Sequence, residues 1–175
     1  MLEKTKQNVM KLETERLKIC DRDQNIVGLE KICADEKTME LYPDFRLNPE
    51  RPLAVFLPLL EQHGIFVFPF KEKLEDAVIG FITINNVDEA TKSIEIGYFL
   101  LSSHWSKGYA SEITVALIEI LKNQDWQRIM ATVYSGNAAS ERLLERCGFA
   151  LEDVIKDKCV INGNNHDDMI YSYKF

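Results

Sequence analysis

Three apolar segments follow one another closely between Gly64 and Leu100, and this arrangement constrains the fold most strongly. The segments are GIFVFPF, AVIGFITIN and SIEIGYFL, and only the charged stretches Lys71–Asp76 and Asp88–Ala90 separate the main apolar runs. Runs of this length that are rich in Ile, Val and Phe and bounded by turn residues are typical of β-strands. The sequence therefore predicts an antiparallel meander of three strands.

The segments around the meander show alternating and helical spacing of apolar residues. Alternation indicates a strand, whereas recurrence every three to four residues indicates a helix. The predicted strands are Glu15–Cys20, Arg128–Val133, Phe149–Lys158 and Met169–Phe175, the last two on either side of the turn-rich INGNNHDD. The predicted helices are Asp23–Leu41, Pro49–Gln62, Tyr109–Leu121 and Ala138–Cys147, the last with Asn137 as its N-cap and Gly148 as its C-terminal stop.

These elements follow the order β-α-α-β-β-β-α-β-α-β-β, which predicts an α/β (α+β) fold. We expect a mixed, mostly antiparallel sheet of about seven strands flanked by about four helices. The length of 175 residues favours a single domain over residues 1–175. Residues 1–11 are polar and are predicted to be a tail or a helical arm.

Composition excludes several classes of protein. The formal net charge is −7 and the basic residues are scattered among acids, which argues against a nucleic-acid partner. No apolar run approaches the ~20 residues of a membrane span, so we expect a cytoplasmic protein without a membrane partner. The four cysteines are too widely spaced for paired metal ligands and are expected to be reduced, buried thiols. The three histidines occur singly, and no metal site is expected.

Four motifs occur in a fixed order: EIGYFL, the loop HWSKGYA with its helix, IMATV, and NAASERLLERCGF. This ordered set resembles the GNAT superfamily of acyl-CoA-dependent N-acetyltransferases over nearly the whole chain. The opening LETERLKICDRD, the phrase IEIGYFL and the Asn-x-x-Ser followed by Gly-Phe are similar to the branch that acetylates protein N-termini, typified by the ribosomal-protein-alanine N-acetyltransferases. The resemblance implies the GNAT fold and acetyl-CoA (coenzyme A) as cosubstrate.

The loop before the third predicted helix is the expected diphosphate site. A helix N-terminus presents unpaired N–H groups and a partial positive charge, so inward-turned amides there can hold a pyrophosphate. Gly108 permits positive φ and close approach of an oxygen, because it has no Cβ. The family usually begins this loop with Gln or Arg, where this chain has Trp105. The predicted cofactor-binding residues of the loop are Trp105, Ser106, Lys107, Gly108, Tyr109 and Ala110.

The resemblance also implies where the acyl group lies. The pantetheine arm would run between SIEIGYFL and RIMATVY, with Gly97 and Ser135 near the gap, and Asn137 would bond one of its amides. Many GNAT enzymes protonate the departing thiolate with a Tyr of the following helix, but this chain has Leu144 there. In the branch it resembles, a Ser three residues after the Asn lies near the sulfur, and Ser140 matches that position.

Glu95 is the candidate base, because it lies on the strand that would border the thioester. Alternation places it on the face opposite Ile94 and Ile96, and that face is either the substrate cleft or bulk solvent. Tyr98 is a weaker candidate on the other face. A base is needed less for an α-amine, which is roughly 10% neutral at pH 7, than for a lysine, which is about 0.04% neutral.

We therefore expect an acetyl-CoA-dependent N-acetyltransferase whose acceptor is a protein N-terminus. A small amine such as an aminoglycoside or a polyamine is the second choice of acceptor, and a non-catalytic acyl-CoA-binding module is the alternative function. The acceptor would be chosen by the loop around residues 42–45 and the hairpin at Asn162–Asp168. The sequence leaves a homodimer open.

Overall fold

The computed structural model describes residues 1–42, 45–46, 48 and 50–175. Its centre is a seven-stranded sheet with helices on both faces, as the sequence predicts. The strands are β1 (Leu17–Ile19), β2 (Phe66–Glu72), β3 (Val78–Asp88), β4 (Ser93–Leu100), β5 (Arg128–Tyr134), β6 (Ala150–Ile161) and β7 (Asn164–Lys174). The α-helices of the described residues are α1 (Leu2–Val9), α2 (Ile26–Ala34), α3 (Leu53–Gln62), α4 (Tyr109–Lys122) and α5 (Ala138–Arg146).

The strands are ordered β1-β2-β3-β4-β5-β7-β6 across the sheet. The predicted meander β2-β3-β4 is antiparallel, and the only parallel pair among the described strands is β4 with β5. Antiparallel strands can be joined by tight turns, whereas a parallel pair needs a long crossover. Helix α4 is that crossover, and it leaves its own N-terminus at the carboxyl end of β4.

The two faces of the sheet bury separate hydrophobic clusters. Helices α1, α4 and α5 cover one face, where Ile94, Ile96 and Ile129 are fully or almost fully buried. Helices α2 and α3 cover the other face only over β2–β4, where Phe81 and Phe99 stack with ring centroids 4.5 Å apart. The part of this second face formed by β5, β7 and β6 is not covered by α2 or α3.

The first two predicted helices are too long. The segment predicted to be helical over Asp23–Leu41 forms a 3₁₀ turn at Asp23–Asn25 and then α2, which ends at Ala34. Asp35 has an extended ψ of 106°, and its carboxylate accepts a hydrogen bond from the Thr38 amide at 2.8 Å, which starts a separate turn. Helix α3 begins at Leu53 after Pro52, and Pro43 and Pro49 lie outside the described residues.

The last hairpin is longer than predicted, because most of INGNNHDD pairs instead of turning. Asn162 and Gly163 alone form the turn, with φ angles of 52° and 80°, and Asn164 already pairs with Ile161. Asn-Gly is the preferred pair for a two-residue hairpin with positive φ at both positions. The Asn-Gly signal for the turn is therefore present in the sequence. The polar residues on either side carry no apolar alternation, so the predicted strands end too early.

The N-terminal segment is a helix that belongs to the core. Val9 is fully buried, and the Thr5 hydroxyl lies in a buried hydrogen-bond chain between Gln124 and Trp126. Trp126 is itself 1% exposed. Within the described ranges, the helices are too short or too polar to cross a membrane.

Cys20, Cys33 and Cys147 are free thiols and are buried as predicted, whereas Cys159 is partly exposed. Burial raises the pKa of Cys20 to about 11 and that of Cys33 to about 12. These two thiols therefore stay protonated and serve as small apolar groups of the core.

Candidate functional site

Strands β4 and β5 separate after a short stretch of pairing. They pair only at Ser93–Arg128, Ile94–Ile129 and Glu95–Met130. Beyond that point a cavity of about 50 Å³ opens between them, lined by Tyr42, Ile96, Gly97, Tyr98, Phe99, Ala131, Thr132, Val133 and Ser140. Backbone groups that face this gap have lost each other as ladder partners, so an extended ligand with amide groups can pair with them.

Gly97 lies on β4, where it borders the gap and pairs with Thr83 of β3. The close neighbour Thr83 leaves no room for a side chain at this position. A Cβ at this position would lie 2.5 Å from Thr83 Oγ1, closer than any real contact allows. The close approach of β3 and β4 therefore depends on glycine, which explains a glycine in the middle of a strand.

The loop before α4 has positive φ angles at two of its residues. Ser106 has a φ of 63°, and Gly108, the N-cap of α4, has a φ of 82°. Within the described chain, the amides of Ser106 through Ala110 donate to no backbone or side-chain acceptor. Such a run at a helix N-terminus forms a concave donor surface with a partial positive charge, which suits a diphosphate.

Trp105 differs from the rest of this loop. Its amide donates to the Ser102 carbonyl at 3.2 Å, and its indole Nε1 donates to the Leu100 carbonyl at 2.7 Å. The side chain thus ties the end of β4 to the start of the loop. Of the six loop residues predicted to bind the cofactor, Trp105 is the one whose amide is already bonded within the chain.

Arg16 contacts this loop and was not recognised from the sequence. Its Nη1 donates to the Lys107 carbonyl at 3.0 Å, and its Nε donates to Glu112 Oε2 at 2.7 Å. Its guanidinium also stacks on the Tyr109 ring, 4.4 Å from the centroid. Arg16 and Glu112 carry opposite charges, but no periodic pattern links two residues 96 positions apart.

Ser140 reaches the gap from α5. The predicted N-cap is confirmed, because Asn137 Oδ1 accepts a hydrogen bond from the Ser140 amide at 3.2 Å. The Ser140 carbonyl accepts a weak bond from the Tyr98 hydroxyl at 3.4 Å, and burial raises the pKa of Tyr98, which keeps the phenol neutral. Leu144 is fully buried, so its side chain packs in the core.

Ser135, predicted to lie near the gap, does not line it. Its amide donates to the Asp167 carbonyl at 2.9 Å, and its hydroxyl accepts from the Asp167 amide at 3.0 Å. This residue therefore fixes β5 to β7. His166 is held in the same region, with Nδ1 2.9 Å from the Ser135 carbonyl. Among the described residues, no group of three or more His, Cys, Asp or Glu side chains is arranged to hold a metal ion.

Glu95 points away from the core, because Ile94 and Ile96 are buried on the other face. It lies at the closed end of the gap, in the last β4–β5 pair, and its carboxylate accepts a hydrogen bond from Asn86 Nδ2. Met130, its partner on β5, lies two residues before Thr132, so Thr132 is on the same face of the sheet as Glu95. Thr132 also lines the cavity. Glu95 thus faces the partly uncovered side of the sheet beside the gap.

Asp168 and Tyr42 lie on this same face, and sequence reasoning assigned no individual role to either residue. Asp168 pairs with Tyr134 of β5. The preceding residue Val133 is buried in the core on the opposite face, so Tyr134 and Asp168 point away from that core. Tyr42 packs its ring on Phe99 and Tyr134, with centroids 5.0 and 5.3 Å away. Burial raises the pKa of Tyr42 to about 12 despite a hydrogen bond with the Asn137 side chain.

The two segments expected to choose the acceptor meet at this face. Asn162 of the β6–β7 turn donates from Nδ2 to the Glu40 carbonyl at 3.3 Å, which joins the hairpin to the α2–α3 connection. Tyr42 belongs to that connection, and the neighbouring Pro43 and Asp44 lie outside the described residues. The gap, the loop before α4 and this face together form the candidate site.

Comparison with known proteins adds a family to this geometry. A family model described as an acetyltransferase (GNAT) domain matches residues 17–150. The uncharacterized N-acetyltransferase YoaA of Bacillus subtilis is 33% identical over 96 residues, which cover 54% of each chain. The ribosomal-protein-serine acetyltransferase of Escherichia coli is 31% identical over 115 residues, 65% of this chain and 64% of that protein.

The aligned part of the chain spans about half to two thirds of the length of these curated relatives. A solved structure covers more. RimL, a ribosomal alpha-N-protein acetyltransferase in complex with coenzyme A, superposes with a TM-score of 0.78 and 21% identity, over 93% of this chain and 96% of that one. This likeness confirms the predicted fold.

Proposed function

Because the chain belongs to the GNAT acetyltransferase family, we propose that it is an N-acetyltransferase that moves the acetyl group of acetyl-CoA to a protein N-terminal α-amine. The observation that carries the proposal is the separation of β4 and β5 beside a loop of free main-chain amides. Two relatives named for ribosomal proteins, the serine acetyltransferase and RimL, support the choice of acceptor.

The two features match the two ends of an acyl-CoA. Its diphosphate fits the amides of Ser106 through Ala110, which lie at the N-terminus of α4. Its pantetheine arm is narrow and carries two amides, which suits a gap with unpaired strand edges. The thioester then lies between Glu95, at the closed end of the gap, and Ser140, on α5. No metal ion is needed to polarise the thioester in this scheme.

The reaction is a direct transfer. The neutral amine attacks the thioester carbonyl carbon, and the new C–N bond forms as the carbonyl π electrons move to oxygen. Glu95 accepts the proton that the nitrogen releases, directly or through a water. The C–S bond then breaks, and the departing thiolate takes a proton from the hydroxyl of Ser140, which lines the gap and regains a proton from solvent water.

A site that relies on Glu95 as its base fits an α-amine acceptor. An α-amine is roughly 10% neutral at pH 7, whereas a lysine amine is about 0.04% neutral, so the α-amine needs far less help from a base. A small-molecule amine remains the second candidate acceptor, because Glu95 and Asp168 give the face a negative charge that attracts any cation.

The test is release of free coenzyme A thiol from acetyl-CoA with short peptides, polyamines and aminoglycosides as acceptors. We expect thiol release with unblocked peptides that lack lysine and none with the same peptides acetylated at the N-terminus. Binding without release for every amine would identify a non-catalytic acyl-CoA-binding module and contradict the proposal.

A thermal-shift measurement tests the loop separately. Acetyl-CoA should raise the melting temperature of the native protein. Gly108→Glu should abolish that rise, because it places a carboxylate beside the diphosphate at a residue with positive φ. Gly163→Glu is the matched control, since Gly163 also has positive φ but lies in the β6–β7 turn. An undiminished shift in Gly108→Glu would remove the loop from the site.

A further inference from the structure

One oxygen of Asp168 is buried without a hydrogen-bond partner. Its Oδ1 is inaccessible to solvent and meets no donor among the described residues. Buried carboxylate oxygens almost always have a partner, because an unpaired one loses its hydration without compensation. Asp168 is partly exposed as a residue, so its carboxylate has acceptor capacity left for a donor from outside the described chain.

In the neighbouring Asp167, by contrast, both carboxylate oxygens have partners within the hairpin. Its Oδ2 lies 2.8 Å from Lys156 Nζ, and its Oδ1 accepts from the Asp157 amide at 3.0 Å. Asp167 and Asp168 are adjacent on β7, so their side chains point to opposite faces of the sheet. Asp167 thus holds the irregular part of β6, whereas Asp168 faces the same side as Glu95.

The surroundings of Asp168 are those of the acceptor face. Glu95 is close enough for its charge to act on Asp168, and Lys158 and Tyr42 are the other titratable groups in electrostatic contact with it. No ion pair joins Lys158 to Asp168 within the described part of the chain. The Asp168 carboxylate consequently lies on the same face as Glu95, near that second carboxylate, and forms no ion pair among the described residues.

We propose that Asp168 is a specificity residue that binds a second positive charge on the acceptor, separate from the amine that is acetylated. This inference rests on the proposed transferase function. The attacking amine has to be neutral, and Glu95, in the last pair before β4 and β5 separate, lies closer to the thioester. Asp168 is on β7, two strands away from β4, and pairs with Tyr134 of β5. At this distance from the thioester it can hold a second ammonium or guanidinium group that stays charged throughout the reaction.

Two kinds of acceptor present that chemistry. A peptide does so when a lysine or arginine follows its N-terminal residue, and a polyamine does so with its second ammonium group. The experiment therefore uses two matched pairs of acceptors. One pair is a hexapeptide beginning Ala-Lys and the same peptide beginning Ala-Met, and the other is spermidine and butylamine.

Turnover is compared between the native protein and Asp168→Asn, which keeps the shape of the side chain and removes its charge. We expect kcat/KM to favour the member with the second positive charge in at least one pair by about tenfold, the effect of a hydrogen bond between charged groups. Asp168→Asn should abolish that preference, because kcat/KM falls by about tenfold for the member with the second positive charge and falls less for the member without it. A preference that persists in Asp168→Asn, or its absence from the native protein, would overturn the proposal.

Asp167→Asn is the matched control, because it removes the same charge from the next residue on the opposite face. It should keep the preference, and melting curves of both variants show whether the hairpin is intact. The pair that responds identifies the source of the charge, a basic peptide or a polyamine.

Calorimetric binding of the same four acceptors to the protein loaded with coenzyme A separates this inference from the proposed function. If the acceptors with the second positive charge bind more tightly and Asp168→Asn removes the difference, Asp168 has the proposed role whether or not turnover occurs. Thiol release decides the transferase function independently.

Discussion

Arg16 and Glu112 join the first strand to the start of α4. Arg16 donates from Nε to Glu112 Oε2 at 2.7 Å and from its amide to Glu112 Oε1 at 3.0 Å, and Thr14 also donates to this carboxylate. Because Arg16 bonds the Lys107 carbonyl as well, the pair fixes the loop whose amides we assign to the diphosphate. The position of the loop therefore depends on a residue far away in the sequence.

This pair should make stability depend on pH. Burial raises the pKa of Glu112, but the hydrogen bonds from Thr14 and Arg16 outweigh it, so the net shift is downward. A lowered folded-state pKa gives stability that is present above the unfolded value, about 4.3, and is lost as the pH falls through the folded value. Glu112→Gln should be less stable than the native protein at pH 7, and the difference should shrink towards pH 3.

Urea unfolding at a series of pH values measures that difference. Glu3→Gln is the control, because Glu3 is 78% exposed and pairs with Lys6 on the surface of α1. A difference between Glu112→Gln and the native protein that stays constant from pH 7 to pH 3 would show that the charge of Glu112 contributes nothing.

Ser140→Ala should lower kcat by about a hundredfold, the lower range for removal of a general acid, with KM for acetyl-CoA unchanged. The substitution keeps the main-chain amide that bonds Asn137, so the helix cap and the melting temperature should survive. Steady-state thiol release measures the effect. Ser103→Ala, at an exposed serine outside the gap, is the control. Full activity in Ser140→Ala would remove the hydroxyl from the mechanism.

Glu95→Gln should reduce kcat/KM more for a lysine amine than for an α-amine, because far less of the lysine is neutral at pH 7. Gln retains an oxygen for the bond from Asn86, so the strand should stay in place. The rates with an unblocked peptide and with an N-acetylated peptide that contains lysine give the comparison. Glu75→Gln, at an exposed acid of the β2–β3 turn, controls for lost charge. Equal rates in Glu95→Gln and the native protein would contradict a base at this position.

Thr5→Val should destabilise the protein by about 1–3 kcal/mol, the cost of leaving buried polar groups unpaired. The Thr5 hydroxyl donates to Gln124 Oε1 at 2.8 Å and accepts from Trp126 Nε1 at 3.0 Å, and valine keeps its shape without either bond. Chemical denaturation gives the free energy of unfolding. Lys4→Ala, on the exposed side of α1, should change it little. An unaltered stability in Thr5→Val would mean that α1 is not anchored by this chain of bonds.

The sequence predicted elements best where local patterns are strong. The meander β2-β3-β4, helix α4 and the cap at Asn137 were all found, because alternation, helical spacing and a capping side chain act between near neighbours. The hairpin β6–β7 was predicted too short, because its polar residues carry no apolar signal although their backbone groups pair. Predicted helices also ran past Ala34, where the Asp35 carboxylate starts a new turn.

The sequence by itself determined the order of the elements, the glycine with positive φ before α4 and the serine at the start of α5. Only the tertiary structure decided that Arg16 holds the loop, that Tyr42 lines the gap and that Glu95 and Asp168 share a face. Local conformational preferences depend on residues a few positions apart, so they can be read from the sequence without knowledge of the tertiary structure. Contacts between distant residues depend on strand order and register, which form only when the apolar faces of the sheet are buried together.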